Sequence, residues 1–207
     1  MDEIDDSIEG VTVTVLGKAC SEYYLTFRTP KQMSFGLKRC AAMMVDGLKH
    51  LEMDLARGLH ALSRPNQLDE LSISWLLYTL ASTHEFDELP VRHNEEILNE
   101  ELSDKLMWGP DTAGISGDNE NRYINPEVYE DPHTKCFLLL QAYLEHAELP
   151  ISDYVNDTNS VIDNIPRLLA AMLSIALNDP NVGVGAFDLV CQIYRTRQVI
   201  NCRTTVS

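Results

Sequence analysis

The chain has 207 residues, of which 44% are hydrophobic, and its 16 Lys and Arg against 32 Asp and Glu give a formal net charge of −16. This hydrophobic content suffices for a buried core and excludes a disordered chain. The acidic charge argues against autonomous non-specific nucleic-acid binding, which needs a basic face. Because there is no apolar run near 20 residues and no N-terminal signal pattern, we expect neither a transmembrane span nor a secretory peptide.

The N-terminal segment differs in pattern from the rest of the chain. Residues 1–10 carry five acids and no base, which predicts a solvated tail. Val11–Val15 alternates β-branched residues with a period of two, which predicts one short strand. The predicted organisation is therefore an acidic tail with a short strand over residues 1–14, followed by a helical domain over residues 15–203.

Apolar residues recur at helical spacing through the first half of the helical domain. Thr29 is predicted to cap the second helix, with Pro30 at its first helical position. Glycines, Gly36 among them, are weak points within that helix. The helices predicted here cover about residues 18–27, 30–62, 69–82 and 91–107.

The second half begins with one long predicted loop, Gly109–Glu130, which is rich in Gly, Pro and acids. Asp131 is the predicted N-cap of the next helix, with Pro132 at its first position. That helix, over about residues 133–148, is apolar around most of its circumference and should lie centrally in the core. Further helices are predicted over about residues 160–177 and 186–200. Together the elements predict an all-α bundle of roughly seven helices with one minor N-terminal strand.

Motifs for catalysis or for metal and cofactor binding are missing from the sequence. The five cysteines are odd in number and show no C-x-x-C spacing, so free thiols are predicted, typical of a reducing compartment. No nucleotide-binding loop, EF-hand, H-E-x-x-H or G-x-S-x-G pattern is present. We therefore predict no catalytic residue, metal or cofactor. His93 is predicted to help cap the helix that follows Pro90 rather than to act as a base.

The helix predicted over residues 160–177 has two distinct sides. Asn164, Arg167, Ala171 and Ser174 form one stripe of polar or small residues. An arginine in such a stripe suits contact with a phosphate or a base, because guanidinium is a forked, always-charged donor that also stacks. The alternative is an ordinary amphipathic helix with its polar side in water. The opposite side carries Ile162, Ile165, Leu169, Met172 and Leu173.

Several ordered sequence blocks carry a family pattern. They are EFDELPVRHNE at residues 85–95 with NEEL at 99–102, DPHTK at 131–135, LLLQA at 138–142, and LPISDY at 149–154 followed by Asp157-Thr158. With Leu16-Gly17 and Tyr23-Tyr24-Leu25 upstream, they resemble the Sec sixty-three (Brl) domain of large superfamily-two RNA helicases over about residues 15–178. That family includes the spliceosomal two-cassette helicase and the helicase subunit of the activating signal cointegrator complex.

The resemblance implies a location for an RNA contact. In the family, the domain follows paired RecA domains and a winged helix, and its bundle contains a ratchet helix that lies across the unwound strand. The helix over residues 160–177 resembles that ratchet helix. By this resemblance Arg167, Asn164 and Ser174 would contact single-stranded RNA. The family motifs also contain residues with an implied structural role, namely Pro90, Arg92, His93, Asp131 and His133.

The chain also departs from the family pattern. The RecA motifs are absent from this sequence, so we expect no ATP hydrolysis by that route and no enzyme activity. Insertions are predicted near residues 39–70 and 109–130. Pro166 falls inside the presumed ratchet helix, where it is expected to kink or break it.

The resemblance predicts a non-catalytic accessory module of an RNA helicase, which supports strand separation through the ratchet helix and serves as a protein-docking surface. The expected partners are RecA and winged-helix domains or other ribonucleoprotein proteins, with weak contact to single-stranded RNA and none to membrane. The implied setting is mRNA splicing in the nucleus, with the cytoplasm as an alternative. Two other functions remain open: a stand-alone interaction scaffold without nucleic-acid binding, and a component of endoplasmic-reticulum translocation. The translocation protein needs membrane spans and a J domain with His-Pro-Asp, which this sequence does not contain.

Overall fold

The computed structural model describes the backbone of residues 13–56, 65–109, 126–183 and 185–204, and side chains within 13–46, 73–109, 127–183 and 185–201. These ranges contain seven α-helices and two short 3-10 helices, His84–Phe86 and Pro126–Glu130, and they contain no strand. The all-α prediction is therefore confirmed. The helices are α1 Val15–Tyr23, α2 Arg28–Ala56, α3 Pro65–Ala81, α4 Glu95–Ser103, α5 Pro132–Glu145, α6 Ser152–Asn178 and α7 Ala186–Thr204.

The predicted N-terminal strand does not form in the described residues. Thr14 is extended and caps α1, because its side chain accepts a hydrogen bond from the Gly17 amide at 3.1 Å. Val15 is already the first residue of α1, so its assignment to a strand was wrong. A capping side chain satisfies a helix end locally, whereas a lone strand has no partner for its backbone. Val11 and Thr12, like the acidic tail, lie outside the described residues.

Three predicted helix starts shift. Helix α2 begins at Arg28, so Thr29 is inside its first turn rather than its cap, and the Thr29 hydroxyl instead donates to Glu85 Oε2 at 2.6 Å. Helix α4 begins only at Glu95, because its N-cap residue Asn94 has a left-handed φ of 66°. The predicted capping role of His93 is therefore wrong, and its side chain is exposed. Helix α6 begins at Ser152 rather than at residue 160.

The two predicted insertions are only partly described. Residues 39–56 and 65–70 of the first are helical, as parts of α2 and α3. The second begins at Gly109 and ends in the 3-10 helix Pro126–Glu130, and residues 110–125 between them lie outside the described part of the chain.

Helices α5 and α6 form the centre of the bundle. All nine residues from Thr134 to Ala142 of α5 are buried, which confirms its predicted central position. Helix α6 buries the apolar side predicted for it: Ile162, Ile165, Leu169 and Met172 are buried and Leu173 is partly buried. The predicted cap of α5 is also confirmed, because Asp131 accepts a hydrogen bond from the Thr134 amide at 3.0 Å and Pro132 occupies the first turn.

Helix α6 continues through Pro166. The proline removes one backbone donor, but the exposed Pro166 lies between the fully buried Ile165 and Leu168, and α6 runs unbroken from Ser152 to Asn178. Its 27 residues are long and apolar enough to cross a membrane by length and composition. Half of its most apolar window is buried inside the bundle, as is usual for the core helix of a globular domain.

Candidate nucleic-acid interface

The structure brings two of the three predicted RNA-contacting residues together. Arg167 Nη2 donates to Asn164 Oδ1 at 2.9 Å, one turn earlier on α6. Arg167 Nη1 donates to the backbone carbonyl of Tyr24, which ends α1, at 3.3 Å. The guanidinium group is therefore held by two acceptors on different elements, and its remaining N–H groups keep their capacity to donate.

The third predicted residue, Ser174, lies two turns further along α6 and faces α1. Ser174 and Tyr23 are both partly buried, and they lie in the two helices α6 and α1, which pack against each other. Ala171, between Arg167 and Ser174, is completely buried. The stripe is thus not an open polar surface: helix α1 packs along it and leaves Asn164 and Arg167 at its partly open end.

The electrostatic surroundings of Tyr23, at the α1 side of the stripe, are mixed. Burial raises the pKa of Tyr23, and the neighbouring Glu22 carboxylate raises it further, whereas the Ser174 hydroxyl and the positive charge of Arg197 on α7 act in the opposite direction. The phenol of Tyr23 therefore stays protonated at neutral pH.

A second constellation lies inside the bundle, where the family blocks meet. Lys135 on α5 is fully buried, and its Nζ donates to Glu95 Oε2 at 2.6 Å, to Asp157 Oδ2 at 2.7 Å and to the carbonyl of Pro90 at 2.7 Å. Arg92 binds the same two carboxylates, Glu95 Oε1 and Asp157 Oδ2, each at 2.8 Å. We call Arg92, Glu95, Lys135 and Asp157 the ionic cluster, which has two positive and two negative charges.

Hydrogen bonds extend the ionic cluster into the surrounding helices. Tyr154 on α6 places its ring 4.6 Å from Lys135 Nζ and donates its hydroxyl to Asn99 Oδ1 at 2.6 Å. Asn99 in turn donates to the backbone carbonyl of Tyr129 at 2.8 Å. Every buried side chain in this chain of contacts has a partner, which is the condition under which a buried polar network is tolerated.

The ionic cluster keeps its carboxylates charged. Burial opposes ionisation of Glu95, but hydrogen bonds from Lys135 and Arg92 outweigh it, so the pKa of Glu95 lies below its ordinary value. The pKa of Asp157 is also lowered, because hydrogen bonds from Arg92 and Lys135 outweigh the effect of its burial. Burial and the charges of Glu95 and Asp157 raise the pKa of Tyr154, which therefore stays a neutral donor. The arrangement is suited to holding helices together, because each charge is matched within the cluster.

Among the other motif residues, His133 joins two parts of the chain that are distant in sequence. His133 Nδ1 donates to the carbonyl of Ala81 at 2.8 Å, while its Nε2 lies 3.1 Å from Asp87 Oδ1. His84 Nδ1 contacts the other oxygen of Asp87. These contacts join the start of α5 to the end of α3 and to the segment after it.

Sequence reasoning missed the central members of the ionic cluster. Lys135, Glu95 and Asp157 belong to the family blocks, but no role was predicted for them, and only a structural role was predicted for Arg92. The neighbouring residues gave little signal, because Glu95 lies beside Asn94 and Asp157 lies beside Asn156; only Lys135 falls in a helix that is otherwise mostly apolar. A single sequence cannot show that such charges are buried, because Lys and Glu are ordinarily surface residues.

Within the described residues, no group of three or more His, Cys, Asp or Glu side chains is arranged to hold a metal ion. The described cysteines Cys20, Cys40, Cys136 and Cys191 are free thiols. Burial raises the pKa of Cys40 to about 12 and that of Cys136 well above its ordinary value. Both thiols are therefore protonated and unreactive at neutral pH.

The chain is similar in sequence to known proteins over most of its length. The family model described as Sec63 Brl domain matches residues 66–202, the region that contains the whole ionic cluster and the α6 stripe. The chain is 32% identical over 185 residues to "Activating signal cointegrator 1 complex subunit 3" of Dictyostelium discoideum, covering 89% of this chain. It is 34% identical over 174 residues, 84% of the chain, to "DExH-box ATP-dependent RNA helicase DExH14" of Arabidopsis thaliana.

A yeast relative, "RQC trigger complex helicase SLH1" of Saccharomyces cerevisiae, is 35% identical over 132 residues, 64% of the chain. The matched region is 6% of the length of each of these relatives, so the chain spans only a small part of them. The family match itself covers well over half of the present chain. The chain therefore belongs to the Sec63 Brl domain family.

Proposed function

We propose that this chain is a non-catalytic accessory module of an RNA helicase, in which α6 acts as a ratchet helix beside single-stranded RNA. Its relatives include one protein named as an RNA helicase and one named as a helicase, and it matches a small part of each. In this proposal the partners are the RecA and winged-helix domains of such a helicase or other ribonucleoprotein proteins. The proposed setting is RNA metabolism, including splicing, in the nucleus or the cytoplasm.

The observation that carries the proposal is the restraint of Arg167. Its guanidinium group is fixed between Asn164 Oδ1 and the Tyr24 carbonyl, at a position that is only partly buried. A pre-organised fork loses less side-chain entropy when it binds a phosphate or stacks on a base. Fixing an arginine at a bundle edge therefore favours recognition of an anionic, planar ligand over a purely structural role.

The strength of this contact is limited by the charge of the whole chain. A net charge of −16 repels a polyanion, and the repulsion is screened only as salt is added. We therefore expect the chain by itself to bind RNA weakly. Tight binding would need the basic surfaces of other helicase domains beside it.

The test is fluorescence anisotropy of a labelled single-stranded oligouridine titrated with the wild-type chain and with Arg167→Ala, at low and physiological salt. One good stacking or phosphate contact contributes about 1–3 kcal/mol, so Arg167→Ala should weaken low-salt binding by about tenfold or more. Lys105→Ala, which removes an exposed cation on the loop after α4, is the matched control and should bind like wild type.

Two outcomes would contradict the RNA contact. One is that the wild-type chain shows no anisotropy change at low salt. The other is that Arg167→Ala and Lys105→Ala bind equally well. Circular dichroism of each variant verifies that a loss of binding does not come from a loss of helix.

A second candidate function, a protein-docking scaffold, is favoured by the surface of α7. Phe187 and Tyr194 are 77% and 47% exposed and lie two turns apart on the same face of the helix. Apolar side chains grouped on one exposed helix face are typical of interaction surfaces. Light scattering over a concentration series tests this idea: Phe187→Ser with Tyr194→Ser should reduce self-association, and Ile97→Ser on α4 should not. A wild-type chain that stays monomeric throughout the series counts against the scaffold.

A further inference from the structure

The charge of this acidic chain is unevenly distributed. The segment from Tyr23 to Val45 contains none of the 32 acids but four of the 16 Lys and Arg, namely Arg28, Lys31, Lys38 and Arg39. This segment is therefore positively charged, although the net charge of the whole chain is −16. The segment covers the end of α1, the link to α2 and the first half of α2.

The fold gathers these cations on one side of α2. Arg28, Lys31, Lys38 and Arg39 are all exposed, and their spacing of three, seven and one residues keeps them on the solvent face. The opposite face is buried through Met33, Leu37 and Cys40. The exposed cations extend over three turns of helix, a length of about 16 Å.

Exposed aromatic rings alternate with these cations. Tyr24 is 88%, Phe27 59% and Phe35 66% exposed, although aromatic side chains are ordinarily well buried. Tyr24 has a left-handed φ of 53° that ends α1. Exposed rings with neighbouring cations are the composition that binds single-stranded nucleic acid, where rings stack on bases and cations meet phosphates.

This surface is continuous with the α6 stripe. The Tyr24 carbonyl accepts the hydrogen bond from Arg167 at 3.3 Å, so the first ring-bearing residue of the surface lies directly beside the restrained guanidinium. The other end of the surface is also tied to α6, because Ser34 on α2 donates to Asp179 Oδ2 at 2.6 Å at the end of α6. One hydrogen bond therefore joins α6 to the end of α1, and the other joins α2 to the end of α6.

We propose that Tyr24, Phe27, Arg28, Lys31, Phe35 and Lys38 form a basic–aromatic strip that binds single-stranded RNA and continues its path from Arg167 along the outer face of α2. The inference rests on the proposed function, because it extends the RNA contact of α6. It adds a second contact surface, built from residues outside the matched family region 66–202. The occupant is a polyanion with exposed bases, which fits the exposed cations and rings of the segment. The two carboxylates that the fold brings to it, Glu85 and Asp179, are bound by the hydroxyls of Thr29 and Ser34.

The experiment measures oligouridine affinity of the full 207-residue chain over a salt series for wild type, Tyr24→Ala, Phe35→Ala and Lys31→Gln. Loss of one stacking partner should weaken binding by about tenfold. Lys31→Gln should reduce the slope of log affinity against log salt by about 0.7, the value for one phosphate contact on a single strand. The matched controls Ile97→Ala and Lys105→Gln, an exposed apolar residue and an exposed cation elsewhere on the surface, should bind like wild type.

The outcomes separate this inference from the proposed function. If Arg167→Ala loses binding while the strip variants bind like wild type, the strip is rejected and the α6 contact stands. If the strip variants lose binding and Arg167→Ala does not, the strip stands and the ratchet-helix contact is rejected. Absence of binding by the wild-type chain rejects both. Photocrosslinking to 4-thiouridine RNA provides a second readout, and failure to label the peptide that contains Phe35 contradicts the strip.

Discussion

Lys135 Nζ on α5 lies 2.7 Å from Asp157 Oδ2 on α6, and the lysine side chain is completely excluded from solvent. Burial of a charge is costly unless an opposite charge and further hydrogen bonds satisfy it. Glu95 and the Pro90 carbonyl supply these further contacts to the same ammonium group. One buried cation, the Lys135 ammonium group, therefore joins α5 to α6 and joins the segment before α4 to both helices.

Removal of that cation should destabilise the fold strongly. Lys135→Met keeps most of the side-chain volume but leaves Glu95 and Asp157 buried with Arg92 as their remaining cation. Breaking a buried ion pair in this way costs about 3–5 kcal/mol. Urea unfolding followed by circular dichroism measures the loss, with the exposed Lys105→Met as the control. Equal unfolding midpoints for the two variants would show that the ionic cluster does not stabilise the bundle.

The ionic cluster should also make stability depend on acid pH. The pKa values of Glu95 and Asp157 are lowered in the folded chain from reference values of 4.5 and 3.8. The unfolded chain therefore binds more protons near these values. The stability that the two carboxylates contribute is complete above about pH 5 and is lost as the pH falls through their folded pKa values.

Glu95→Gln provides the measurement of this effect. The free energy of unfolding of wild type should fall from about pH 5 to about pH 3, and the variant should show a shallower fall because one titrating group is gone. Glu101→Gln, an exposed glutamate on α4, serves as the control and should keep the wild-type slope. A variant slope equal to that of wild type would rule out Glu95 as a source of the acid sensitivity.

Gly36 allows the close approach of α2 and α3. A Cβ atom at this position would lie 2.3 Å from Thr79 Cγ2 and 2.6 Å from Thr79 Oγ1. Gly36→Ala gains about 1 kcal/mol of helix propensity, but the clash with a stiff β-branched side chain should outweigh it and give a net loss of about 1–2 kcal/mol. Thermal unfolding of Gly36→Ala and of Gly36→Ala with Thr79→Ala checks the cause, since the second change removes both clashing atoms. No recovery in the double variant would refute the steric explanation.

The N-cap of α5 should contribute a smaller, local amount. Asp131 accepts the Thr134 amide, and it also accepts the Thr134 hydroxyl at 3.3 Å. Asp131→Ala should cost about 1 kcal/mol, as loss of an N-cap usually does. Asp163→Ala, an exposed aspartate within α6, removes the same charge without a cap and should be close to neutral. The midpoints of chemical denaturation of the two variants are compared. A lower midpoint for Asp131→Ala alone indicates loss of the cap, whereas equal shifts in both variants indicate an effect of net charge.

Local patterns in the sequence predicted some elements correctly. The Asp131-Pro132 start of α5 and the apolar side of α6 follow from contacts between residues within one or two turns of each other. The same local reasoning was wrong at Val15, where a period of two in β-branched residues suggested a strand. It was also wrong at Thr29, whose hydroxyl binds Glu85, a residue far away in the sequence. A pattern of neighbouring residues cannot reveal a hydrogen-bond partner that only folding brings close.

The sequence by itself determined the helical class, the central position of α5 and the family, because each depends on the order and spacing of residues along the chain. Only the tertiary structure decided that Lys135 is buried between two carboxylates, that α1 packs along the stripe of Ser174 and Ala171, and that Arg167 is held by the carbonyl of Tyr24. These relations join residues on different helices. The free energy of a charged or polar group depends on which groups surround it and how much water reaches it, and the packing of the helices sets both.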